Sequence, residues 1–76
     1  MYNVYKFKVH YTPHTYPTMR TIKAATYNEA LTKLYYPETG PQPIDAELIA
    51  LLVGTTWKGD DALRNPSNFD IKYTQP

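Results

Sequence analysis

The chain contains no cysteine, which excludes disulfide staples and thiolate zinc sites, the two usual supports of a small extracellular domain. No apolar run is long enough to span a bilayer; the longest, Leu48 to Val53, falls far short. No basic segment followed by an apolar run opens the sequence, so a cytoplasmic setting is expected, and neither a secretion signal nor a membrane anchor. There is no internal repeat and no low-complexity segment. Net charge is almost absent as well: 8 Lys and Arg against 7 Asp and Glu give +1. Any affinity for a charged partner must therefore come from how charge is distributed.

The side chains that build catalytic centres are also scarce. His10 and His14 are the only groups that ordinarily titrate near neutrality, and no Gly-flanked serine accompanies them. The two histidines lack a third ligand at metal spacing, and Asp60, Asp61 and Asp70 do not form a calcium-loop pattern. Asp60 and Asp61 instead suit a helix cap and its first turn. No catalytic residue, metal site or cofactor is expected, and the enzyme reading ranks last.

What the chain does have is tyrosine: 8 of them, beside 2 Phe and 1 Trp. A domain of 76 residues encloses its aromatics incompletely, and tyrosine packs its ring while its hydroxyl stays wet. The same property suits recognition surfaces.

Tyr5, Phe7, Val9 and Tyr11 alternate with Lys6, Lys8 and His10. A period of two puts one face in the core and leaves the other wet and basic. Thr12 to Pro17 is rich in turn formers, and Thr18 to Ala25 returns as the partner strand, closing a hairpin over 2–25 with Met19, Thr21 and Lys23 outward. Thr26-Tyr27-Asn28-Glu29 matches a capping box. It predicts a helix over 27–36, supported by Glu29 four residues before Lys33 and closed by Pro37. A proline-rich connection, 37–43, follows. For 44–53 helix and strand compete: Ile49, Leu51 and Val53 alternate, whereas Asp45, Glu47 and Gly54 sit where a helix wants its cap, dipole partner and terminator. Helix is the favoured reading. Residues 54–68 form a loop anchored to the body by Trp57, and Phe69, Ile71 and Tyr73 alternate in a last strand, 69–73.

The resulting expectation is a single α+β domain, β-β-α-α-β, with a three-stranded sheet in order 2-1-3, both helices on one face and the other face open. That open face would carry Tyr2, Val4, Lys6, Lys8 and His10 from the first strand, Met19, Thr21 and Lys23 from the second, and Asp70 and Lys72 from the last. The remaining acids would lie on the helical side or in loops. Tyr2, Lys6, Lys8, His10, Lys23 and Lys72 are then the candidate partner-binding residues. The partner would be an acidic protein or, alternatively, single-stranded nucleic acid, whose phosphates take cations and whose bases take rings.

The hairpin of tyrosines and lysines followed by Ala24-Ala25-Thr26-Tyr27-Asn28-Glu29-Ala30 resembles small bacteriophage-encoded proteins of uncharacterised activity, those of cyanophages among them. The likeness covers the first half of the chain. It implies a non-enzymatic accessory or host-interacting protein, and it carries over no functional residue.

Overall fold

A computed structural model describes residues 2–71. Its first strand, β1 (Asn3–His10), runs up the middle of the sheet with Asn3, Tyr5, Phe7 and Val9 buried and Val4, Lys6, Lys8 and His10 half-exposed, which is the parity expected of its sequence. β2 (Thr18–Ala24) pairs antiparallel with it and places Lys23 opposite Val4, Thr21 opposite Lys6 and Met19 opposite Lys8.

The helix α1 (Tyr27–Tyr35) begins where the capping box predicts. Thr26 Oγ1 accepts from the Glu29 amide at 3.1 Å. Glu29 does not reach back to complete the box; its carboxylate lies 3.3 Å from Lys33 Nζ, one helical turn on. Ala30 and Leu34 are buried against the sheet. Tyr5, Phe7, Val9, Ile22, Ala24, Ala30, Leu34 and Leu51 form the core, and the Tyr27 ring lies 6.1 Å from Tyr5 and 6.3 Å from Phe7.

Residues 44–53 are not a helix. They form β3 (Asp45–Val53), antiparallel to β1 on the side away from β2, with Leu51 opposite Tyr5, Leu48 opposite Phe7 and Ala46 opposite Val9. The register slips between Lys6 and Phe7, leaving Ile49 as the extra residue of a bulge. The physical reason is long-range. β1 buries aromatic rings and needs a partner on each edge, and a strand supplies both ladder hydrogen bonds and the fully buried Leu51. Gly54, at φ +64, does not end a helix. It opens a two-residue turn into β4 (Thr56–Lys58), where positive φ at the first turn position matches strand twist.

Among the described residues the sheet therefore has four antiparallel strands in the order β2-β1-β3-β4. The place beside β1 that the sequence reading gave to a parallel strand at 69–73 belongs to β3. A single helical turn, α2 (Asp60–Arg64), and a 3-10 turn, Pro66–Phe69, follow instead; Lys72 and Tyr73 lie outside the described residues. This C-terminal stretch is bonded across the closed layer. The Asn3 side chain donates to Phe69 O at 2.8 Å, the Ile71 amide to Ala25 O at 2.8 Å, and the Tyr27 amide to Asp70 Oδ1 at 2.8 Å. No helix of the described residues is long and apolar enough to cross a membrane.

Candidate binding face

Cross-strand register builds the open face row by row, because directly opposed residues of antiparallel strands share a face with Cβ atoms about 5 Å apart. The first row runs Lys23, Val4, Leu52, Trp57; the second, Thr21, Lys6, Ala50; the third, Met19, Lys8, Glu47; the last pairs His10 with Asp45. Tyr2 joins the first row, its ring 5.1 Å from the Lys23 ammonium. Tyr2, Met19 and Trp57 are each more than half exposed.

Five of the six residues expected to bind a partner, Tyr2, Lys6, Lys8, His10 and Lys23, thus belong to one surface. Lys72 lies outside the described residues. The face differs from the expected one in three ways, all traceable to β3. Asp70 has left the face and bonds the first turn of α1. Asp45 and Glu47, expected on the helical side or in loops, stand on the face opposite His10 and Lys8. Trp57, expected to anchor a loop to the body, is on β4 opposite Leu52 and is half-exposed. The face is therefore divided. Lys6 and Lys23 with Tyr2, Val4, Leu52 and Trp57 make an apolar and cationic half, while Lys8 and His10 are each opposed by a carboxylate.

Leu52, Ala50 and Trp57 are the surface residues that sequence reading missed. The signal was Gly54 followed by Thr55, Thr56 and Trp57, a left-handed residue leading straight into β-forming side chains. That pattern marks a hairpin at least as well as it marks a helix terminus.

The other titratable features lie behind the sheet. Burial raises the Tyr5 phenol above its ordinary pKa, against the hydrogen bond from Asn3, with the negative charges of Asp70 and Glu29 adding to the rise. Burial likewise raises that of Tyr27, reinforced by Tyr35. Asn3 itself is 1% exposed, and its Oδ1 has no hydrogen-bond partner among the described residues. His14 lies exposed in the hairpin loop. Among the described residues no group of three or more His, Cys, Asp or Glu side chains is placed to hold a metal ion.

Comparison with protein-family models, with curated proteins and with solved structures finds no match. The functional reading rests on the face itself.

Proposed function

We propose that this chain is a non-enzymatic binding protein, of the phage accessory type its first half resembles, and that it engages an acidic protein partner through the open sheet face. The observation that carries this reading is the first two rows of the face. They put two lysines, two exposed aromatic rings and the aliphatic side chains of Val4, Leu52 and Ala50 in adjacent positions, with no helix of the described residues over them. An interface with an apolar centre and a charged rim has this composition, aromatic residues supplying most of the area and cations orienting the partner.

Single-stranded nucleic acid is the second reading, favoured by Tyr2 and Trp57 as stacking surfaces beside Lys6 and Lys23. Asp45 and Glu47 weigh against it, since a phosphate backbone crossing the whole face meets carboxylates in its third and fourth rows. A protein partner can confine its contacts to the first two.

Capture from a lysate by the wild-type chain and by the Lys6→Glu/Lys23→Glu variant tests the first reading: an acidic protein held by one and lost by the other is expected. Fluorescence anisotropy of labelled single-stranded DNA and RNA tests the second. Sub-micromolar binding that weakens steeply with salt would put nucleic acid first.

A further inference from the structure

Among the described residues one edge of the sheet is long and open. There β2 pairs with β1 alone, and it contains neither a proline nor a bulge, since the register slip lies between β1 and β3. The opposite edge, β4, is only three residues long. Strand alternation says which groups of β2 point outward. His10 O accepts from Ile44 on the β3 side, so Val4, Lys6 and Lys8 also direct their backbone groups to β3. Their partners Lys23, Thr21 and Met19 then direct theirs away from β1. An independent contact agrees: Lys23 O is reached from outside the sheet by Lys33 Nζ at 2.8 Å. That lysine is held in turn by Glu29, so α1 covers the Lys23 carbonyl, and just past the end of β2 the Ile71 amide takes Ala25 O. Among the described residues nothing else takes the backbone groups of Met19 and Thr21 or the Lys23 amide, which leaves them for a guest.

We propose that this edge takes an extended acidic peptide of the partner as a fifth strand. The proposal rests on the binding reading above and specifies its mode. Main-chain bonds to Met19, Thr21 and Lys23 would supply affinity, and alternate side chains would supply selectivity. Charge selects the occupant. β2 carries Arg20 and Lys23 and no carboxylate, and Lys6 lies one strand in, opposite Thr21. A guest with carboxylates on its open-face positions lies beside Lys23 and within reach of Lys6. A second copy of this chain fits worse, because two-fold pairing of β2 with itself lines up two sets of Arg20 and Lys23 with no acid from either strand.

The test is amide shift mapping of the labelled protein with an acetylated, amidated peptide of alternating glutamate and valine. A counterpart N-methylated on the residues facing the protein, and the variant Thr21→Pro, complete the set. Proline at an outward-facing amide of an edge strand removes one guest bond and no bond to β1. Shifts and slowed exchange at the Met19, Thr21 and Lys23 amides are expected, with binding weakened about tenfold or more by either block. If Thr21→Pro does not give the native spectrum, the N-methylated peptide on the wild-type protein decides.

Absence of shifts would overturn the proposal. So would shifts confined to Lys6, Leu52 and Trp57 that ignore both blocks, although the face would then still bind. Edge shifts that appear without peptide and grow with protein concentration would overturn the choice of occupant. Lys6→Glu separates the two sites: it weakens docking on the face severely and leaves most of the main-chain affinity of the edge.

Discussion

The Tyr27 amide donates to Asp70 Oδ1 at 2.8 Å, joining residues 43 positions apart and fastening the C-terminal stretch to the start of α1. An unpaired amide in a helix's first turn is an orphan donor at the positive end of the dipole, and a carboxylate answers both needs. Asp70→Ala should lower stability by about 1 kcal/mol, read as a fall in the urea midpoint at constant slope. Asp70→Asn keeps an acceptor and loses the charge, so it should cost less. Equal midpoints for Asp70→Ala and wild type would show that the bond contributes nothing.

Gly54 has a φ that other residues adopt at a cost. A Cβ there meets nothing within 4 Å, so the penalty of Gly54→Ala is conformational alone. It should be roughly 1–2 kcal/mol. Gly59 is equally open to a Cβ but lacks a positive φ. Gly59→Ala is therefore the control and should be neutral or slightly stabilising. The pair of melting curves separates strain from crowding.

Lys8 and Glu47 are directly opposed across β1 and β3. Lys8→Glu puts like charges in that position and should destabilise by about 0.5 kcal/mol, and adding Glu47→Lys should recover most of the loss. Lys6 has Ala50 opposite it and Lys23 has Val4. Their replacement by glutamate should leave stability within about 0.5 kcal/mol of wild type. A large loss on changing Lys6 would show that the face is buried.

Raised phenol pKa values at Tyr5 and Tyr27 mean that the folded chain holds these protons more tightly than the unfolded one. The stability they contribute is complete below the ordinary tyrosine pKa of about 10 and is lost as pH rises through the higher folded values. The urea midpoint should hold across neutral pH and decline above about pH 10. Tyr5→Phe should flatten that decline. A midpoint that rises into alkali would contradict the burial of both rings.

Local patterns in the sequence were readable where local forces decide. The alternation of β1 gave its buried and exposed faces correctly from Tyr5 to His10, and Thr26 capped the helix where its side chain and Glu29 predict. Residues 44–53 were misread because Asp45, Glu47 and Gly54 satisfy helix-end rules while serving other ends: two carboxylates opposite His10 and Lys8 and a left-handed hairpin turn. What decides between the readings is the unpaired edge of β1, which lies more than thirty residues earlier and leaves no mark in the segment itself. Asp70 was placed on an open strand for the same kind of reason. Its partner, the Tyr27 amide, is a backbone group that no side-chain pattern reveals. The candidate face was legible in its β1 and β2 half and illegible in its β3 and β4 half.

Trp57 is the one tryptophan of the chain and stands half-exposed on the proposed face, so its emission reports contact there directly. Titration of the purified chain with an acidic protein it captures should give a saturable blue shift, and the Lys6→Glu/Lys23→Glu variant should show almost none at the same concentrations. Binding of that protein with Trp57 emission unchanged, or equally by wild type and variant, would contradict an interaction through the open face.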